Sequence, residues 1–570
     1  LRNSNPYYFI GGIVLLLIGT IIFMGVRDID VIFFPDNDPN YINVRAELPV
    51  GSDITKTDSV MRVVNRDLEE ILKPYADVIE SQLTTVGKGA SSDWTPSATP
   101  HIGLSTITFV DYKDRMGKST REAMRKISDE LIGRYPGSQI SIEKNQMGPP
   151  TGNPINIEVT GQKLDQLIAL TDSLIVEVEK ENISGIEGLK VDMELGKPEL
   201  LVSIDREKAR RFGLSTGQIA SQLRTSLFGK EISDYKVGED EYPIQLRLQD
   251  EYRYQATSLL NQKISFRDEG RMIQMPISSV ADFKYSTTYG AVKRKDMDRV
   301  ITIYSNVIEG YNPTEINQRI DQVLSDYDFP EGYRYKFTGE QQEQEESMAF
   351  LTNALLIAVS IILIILVTQF NSLIRPLIII ASVLFSTIGV FLGIGIFKMD
   401  FVVVMTGIGI VSLAGIVVNN AIVLIDYIEL LKRRKRKELG LMENEFLPLD
   451  DANECVVQGG KTRLRPVLLT AITTILGLLP LAVGMNIDFP GLLSSFDPDL
   501  YFGGDMVIFW GPISWTVIFG LAFATFLTLV IVPVMYRITT VWQKKINHWV
   551  GKLPTQNGTE TEEKNEDSYL

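Results

Sequence analysis

The sequence predicts an α-helical membrane bundle of six transmembrane helices carrying a large external α+β region, built as two α/β sandwiches with a subdomain inserted into the second. Three observations predict it. A membrane-crossing helix takes roughly 20 mostly apolar residues, and six windows approach or exceed that length: 9–26, 348–368, 376–397, 401–425, 466–487 and 513–536. The chain as a whole is nevertheless not apolar, since 22% of its residues are charged and its mean hydropathy is +0.06. Such a balance requires a sizeable water-soluble part. Between the first two windows lies a long stretch of ordinary globular composition in which two-residue and helical periodicities alternate.

The first window begins close to Leu1 and has no small-residue cleavage pattern, so it reads as an anchor that delivers the next domain across the membrane and not as a signal peptide. Leu1 is not methionine, which reads as a fragment or a processed product. The next elements are strand 41–48, helix 55–73, strands 78–86 and 103–111, helix 119–132 and strand 139–144. This is a split β-α-β unit, ferredoxin-like in order. A second unit begins with strand 155–160, helix 163–180 and strands 189–195 and 199–204, and it ends with strand 300–307, helix 313–324 and strand 333–337. Extra material over about 206–294, with a hairpin at 231–248 and strands near 272–285, interrupts it. The connection 87–101 is rich in small residues and carries one large aromatic, Trp94. It reads either as a surface connection or as a loop flexing over a cleft.

The fourth window carries the functional signal. Asn419 and Asn420 fall in mid-segment, with Asp426 a turn or two later. Polar groups are costly in hydrocarbon and usually face a bundle interior or a water path. Ser412, Gly415, Asn419 and Asp426 are spaced by three, four and seven residues, which sets them along one helical face. Asparagine there either joins two helices by a modest hydrogen bond of about 0.6–2 kcal/mol or belongs to a transport path, and we favour the path.

Lysine and arginine in short loops set orientation. The run Lys432 to Lys437, with Lys461, Arg463 and Arg465 beyond it, places the connection after the fourth window in the cytoplasm. Both termini, the Arg375 turn and the tail then lie inside. The 28–340 region and the stretch 486–514, which has no lysine or arginine, lie outside. A net charge of −15 excludes a general nucleic-acid surface. Cys455 is the sole cysteine, so no disulfide staples the external region. His101 and His548 are the only histidines. No metal site, catalytic residue or cofactor is expected: no Walker A or HExxH pattern occurs.

These residues carry a resemblance. FFPDNDPNYINVRAELPVGSDITKTD, TFVDYKDR, TQFNSLIRPLIII, LAGIVVNNAIVLIDYI and RLRPVLLTAITTILGLLPLA occur in that order. Together they resemble the carboxy-terminal half of a resistance-nodulation-division superfamily permease of the hydrophobe/amphiphile efflux type. The resemblance implies a proton antiporter in the bacterial inner membrane, multi-pass with a large periplasmic domain, and not an enzyme. It implies a homotrimer that passes hydrophobic or amphiphilic compounds to a periplasmic adaptor protein and an outer-membrane channel, with membrane lipid around it. It also implies the missing N-terminal half of the permease as a partner.

In the same terms the chain divides into a first transmembrane helix (1–27), a porter subdomain (28–150), a second porter subdomain in two parts (151–205 and 296–340), a docking subdomain (206–295), five transmembrane helices (341–545) and a disordered cytoplasmic tail (546–570). The proton-relay candidates are Asn419, Asn420, Asp426, Arg463, Thr470 and Thr474, with Thr473 on the same hydroxyl-rich helix. The substrate-gating candidates are Trp94, Gly87 and Gly89, at the position of the family's switch loop.

Two departures bear on function. In the family a pair of aspartates in the other half takes up the proton. In multidrug members the place of Asn419 is often a lysine, and an asparagine cannot compensate charge. The stretch 486–514 is longer than in familiar multidrug pumps, and Trp510 and Trp515 make it an external interfacial cap. The alternatives are a protein-translocation accessory permease, which comes as separate six-span chains, and a metal-ion exporter of the same superfamily, for which Met405 is slight support.

Overall fold

The computed structural model of the protein describes residues 6–27, 29–35, 37–88, 98–144, 151–193, 197–253, 255–268, 270–288, 292–442 and 447–549. Among these, six helices are long and apolar enough to cross a membrane. They are Pro6–Val26, Glu340–Phe370, Ile374–Phe397, Val403–Glu438, Leu449–Val483 and Asp505–Trp549, hereafter the first to sixth apolar helices. A mixed α/β region separates the first from the second.

In the first sandwich the central strand Tyr41–Glu47 buries alternate residues, Ile42, Val44 and Ala46, as a half-buried strand must. It pairs antiparallel with Ala98–Phe109 on one side and Gln139–Lys144 on the other, and Ile79–Lys88 adds outside Ala98–Phe109. Helices Ile54–Leu72 and Thr120–Leu131 supply the rest of that core through Met61, Val64, Leu68, Ile127 and Leu131. Each helix starts at a polar cap: Asp53 accepts from Thr55 N–H at 2.9 Å, and Ser119 accepts from Glu122 N–H at 3.4 Å.

The second sandwich repeats the plan, with Ile155–Gly161 between Asp298–Ser305 and Arg334–Phe337, both antiparallel to it. Helices Leu164–Lys180 and Pro313–Ser325 complete its core. Lys144 and Arg121 of the first sandwich pair with Glu309 of the second at 3.0 and 3.5 Å, and Glu187 accepts the Ile142 N–H at 3.1 Å.

Strand Lys197–Ile204 corrects the sequence reading, which had 199–204 inside the second sandwich. It runs antiparallel to Ala281–Thr288 over its whole length, as a two-stranded ribbon leading to the inserted material. The sandwich edge it would have occupied is taken by Lys190–Val191, paired to Ile303 and Tyr304. The connection 87–101 is also shorter than expected. The ladder shifts register between Val86 and Gly87 and then continues as Gly87 opposite Thr99 and Lys88 opposite Ala98.

In the bundle the third, fourth and sixth apolar helices share one core, including Ile379, Val390, Ala421, Leu424, Leu521 and Val532. Glycine permits the close approach: a β-carbon at Gly393 would lie 2.7 Å from Phe519 Cβ and nearer still to its ring. The first and second helices bury only Thr20 and Leu366 respectively.

The helices run well beyond the apolar windows. The fifth begins at Leu449 and not at 466, the second and sixth also start earlier, and the fourth continues past 425 to Glu438. Apolar length measures hydrocarbon thickness, whereas Glu, Lys and Arg are good helix formers that carry the helix on. The fourth window gives up its first two residues, because Phe401–Val402 pairs parallel with Val31–Ile32 before the helix starts. The basic run is accordingly not a loop. Lys432 to Lys437 lie in the fourth helix, and Lys461, Arg463 and Arg465 in the fifth. The stretch 486–514 divides likewise into a short connecting segment and the first turns of the sixth helix, which includes Trp510.

Candidate functional site

The fourth and fifth apolar helices, with Leu521 of the sixth, line an open-sided cavity of about 330 Å³. Ser412, Asn419 and Asn420 line it from the fourth, and Thr470 and Thr474 from the fifth. The sequence spacing explains the grouping, because residues three and four apart share a helical face. Asn420 is the buried member, and its Oδ1 accepts the Thr470 hydroxyl at 3.3 Å. That hydroxyl also reaches the Val467 carbonyl at 2.9 Å. Thr474 donates to the Thr470 carbonyl at 2.8 Å, and Thr473 to that of Leu469 at 2.9 Å. Back-bonding of this kind satisfies hydroxyls within one helix. No charged side chain lines the cavity, and Ile416, Ala471 and Leu521 give it apolar walls beside these amides and hydroxyls.

Asn419 lies on the open side of the fourth helix with Ser412, Gly415 and Asp426, all exposed in this chain. The structure therefore brings Asn419, Asn420, Thr470 and Thr474 together, while Asp426 and Arg463 stand apart from the cavity. Arg463 stacks over Tyr427, its guanidinium carbon 4.4 Å from the ring centre. Its Nε is buried with no hydrogen-bond partner among the described residues.

Of the gating candidates, Gly87 lies at the loop root with φ +78°, where a β-carbon would come within 2.9 Å of Ile54 Cδ1. Its carbonyl accepts the Thr99 hydroxyl at 2.9 Å. Gly89 and Trp94 lie outside the described residues.

A second polar cluster was missed by the sequence reading. Glu429, 7% exposed, pairs with Arg375 at 3.2 Å and accepts the Tyr536 hydroxyl. Lys432, 5% exposed, donates to that hydroxyl at 3.2 Å and to Thr540 at 3.4 Å, with its ammonium 4.3 Å from the Tyr536 ring centre. The signal was there as a Glu/Lys pair three residues apart, which is ordinarily a solvated surface pair. Among the described residues no group of three or more His, Cys, Asp or Glu side chains could hold a metal ion.

The profile of a family described as the AcrB/AcrD/AcrF family matches residues 3–487. The cobalt-zinc-cadmium resistance protein CzcA of Cupriavidus metallidurans is 24% identical over 516 residues, covering 89% of this chain and 45% of that protein. The swarming motility protein SwrC of Bacillus subtilis is 30% identical over 342 residues, 60% of this chain and 29% of its own length. The multidrug resistance protein MdtC of Erwinia tasmaniensis is 25% identical over 338 residues, 59% of this chain and 30% of its own. In fold the chain is similar to a crystal structure of a heavy metal efflux pump, with TM-score 0.73 and 20% identity over 94% of this chain and 50% of that one. The chain spans about half the length or less of the curated relatives it matches.

Proposed function

Because the chain belongs to the AcrB/AcrD/AcrF family of resistance-nodulation-division permeases, we propose that it is the carboxy-terminal half of a proton-driven efflux permease. The observation that carries this reading is the uncharged cavity lined by the amides and hydroxyls of the fourth and fifth apolar helices, which opens along the exposed row Ser412, Gly415 and Asn419 that Asp426 continues. Polar groups in a membrane bundle face protein or water, so the row calls for a partner surface. Amide and hydroxyl groups can hydrogen-bond a carboxyl group there in either protonation state. They cannot compensate its charge, which leaves titration to the partner.

Coupling requires an element whose two states differ in protonation. In this proposal an acid of the missing half titrates, Asn419, Asn420, Thr470 and Thr474 hold it by hydrogen bonds, Asp426 passes the proton on, and Arg463, which stays protonated, supplies a fixed positive charge. The placement of contacts supports an inner-membrane topology with the α/β region outside. Lys113 of the first sandwich pairs with Asp499, at 3.0 Å, in the connection between the fifth and sixth helices. At the other end Trp542 donates to the Tyr7 hydroxyl at 3.0 Å, joining the two helix ends read as cytoplasmic. Assembly as a trimer with a periplasmic adaptor and an outer-membrane channel belongs to the same proposal.

For cargo, the reading is hydrophobic or amphiphilic compounds, gated by the loop that bears Trp94 and Gly89 and is rooted at Gly87. Metal-ion export is the second reading, favoured by the names of CzcA and of the solved heavy metal pump. CzcA, SwrC and MdtC give no support to a protein-translocation accessory role. Full-length permease in proteoliposomes separates the two cargo readings: an imposed proton gradient should drive an amphiphilic dye and leave zinc or cobalt ions in place. Ion transport without dye transport would replace the first reading by the second. Transport of either cargo without proton movement would overturn both.

A further inference from the structure

The external segment between the fifth and sixth apolar helices has no part in the relay. Met485–Asn486 and Tyr501–Phe502 form a small antiparallel pair enclosing the short helix Phe489–Ser495. Phe489, Leu493, Phe496, Leu500, Phe502 and Met506 are all exposed, Leu493 and Phe496 at 83% and 88%. Six large exposed apolar side chains within 18 residues mark an interaction site. Phe496 closes the short helix at φ +56°, a left-handed position where glycine is the ordinary residue, and so its ring projects from the turn.

Two of the segment's acids turn toward the first sandwich. Asp499 pairs with Lys113 at 3.0 Å. Asp505 accepts from Asn40 at 2.5 Å, and the Asn40 Oδ1 accepts from the buried Arg115, also at 2.5 Å. Phe34 stacks on Phe509 with ring centres 6.4 Å apart. No lysine or arginine lies between Arg465 and Arg537. Two of the segment's four acids are thus bonded to the first sandwich, while Asp488 and Asp497 are exposed, Asp497 accepting the Asp499 N–H at 3.2 Å, and the apolar side chains are left bare.

The tethers of the segment decide what covers the bare side. It begins at Gly484, which caps the fifth apolar helix, and ends at Asp505, which starts the sixth. Both tethers hold it at the level where spanning helices leave hydrocarbon, and the exposed Trp510 one turn further has the side chain preferred at that boundary. A protein-binding surface would not need to sit at that depth.

We propose that residues 489–506 form a foot immersed in the external leaflet of the bilayer, with Phe489, Leu493 and Phe496 among the acyl chains, to which Lys113 and the Arg115–Asn40–Asp505 chain strap the first sandwich. This rests on reading the six apolar helices as membrane spans. The test uses full-length permease with its native cysteines replaced, single cysteines in place of Leu493, Phe496, Lys236 or Ile361, a nitroxide on each, and phosphatidylethanolamine–phosphatidylglycerol vesicles. Collision with oxygen and with a water-soluble nickel complex is then read by power saturation. Labels at Leu493 and Phe496 should favour oxygen over nickel, reversing the ratio found at the solvent-exposed Lys236. Nickel access equal to that at Lys236 would overturn the foot, and exclusion of both reagents would overturn it in favour of a covering protein surface. Nickel access at Ile361, within the second apolar helix, would overturn the membrane reading itself and the foot with it.

Discussion

Replacing Glu429 by leucine removes the one anion between two cations inside the bundle. Arg375 lies 3.2 Å from the Glu429 carboxylate, and Lys432 reaches it through the Tyr536 hydroxyl. Deleting one partner of a buried ion pair costs about 3–5 kcal/mol, because the charge left behind stays desolvated. The Arg375 side chain is 28% exposed and can recover some solvent, so the lower end, about 3 kcal/mol, is the expected loss. Glu429→Gln keeps an acceptor for Tyr536 and should lose less, about 1–2 kcal/mol. Adding Lys432→Met to Glu429→Leu should recover part of the loss by removing one of the stranded cations. The assay is reversible denaturation of the full-length permease in mixed micelles, monitored by tryptophan fluorescence. A wild-type midpoint for Glu429→Leu, or a double variant that loses the sum of the two single effects, would refute the claim that these groups form one buried network.

Two further outcomes rest on packing and burial. Gly393→Ala places a β-carbon against Phe519, whose ring is held between Phe397 and Trp515 with both centroid distances 5.2 Å, so it cannot retreat. Overpacking of this kind should cost about 1–3 kcal/mol in the same denaturation assay, and an unchanged midpoint would show that the third and sixth helices do not meet there. Burial raises the Glu187 carboxyl above its ordinary value of 4.5, against the opposing hydrogen bonds from Asn306 and Ile142 and the nearby Lys190. A raised folded-state value means stability is fully present below the unfolded pKa and is lost as pH rises through the folded one. Relative to Glu187→Gln, the wild type should therefore gain stability as pH is lowered from 7 toward 4.5, and a difference that is flat or opposite in sign would contradict the burial.

The long apolar helices and the polar face of the fourth were legible because their signals are local. Apolar length and three- and four-residue spacing can be counted along one chain, and Asn419, Asn420, Thr470 and Thr474 duly line one cavity. Glu429 and Lys432 were not legible, since what buries them is Tyr536 and Arg375, remote in sequence. The strand 199–204 has the same alternation whether it joins a sandwich or a ribbon. Only its partner decides, and the partner is Ala281–Thr288. The length of the 87–101 connection was misread for a related reason: small and polar residues resemble a loop, yet Thr99 and His101 are buried in a strand that the ladder carries past a bulge.

Substrate-dependent proton flux into proteoliposomes asks most directly whether coupling needs the titrating acid of the missing half. Four preparations should be compared: this chain alone, the full-length permease, and the full-length permease carrying either Asn419→Leu or Asp426→Asn. The chain alone should insert yet carry no coupled flux, the full-length protein should carry it, and each substitution should reduce it. Robust flux from this chain alone, or wild-type flux from both variants, would contradict that reading and return Asn419 and Asp426 to packing residues.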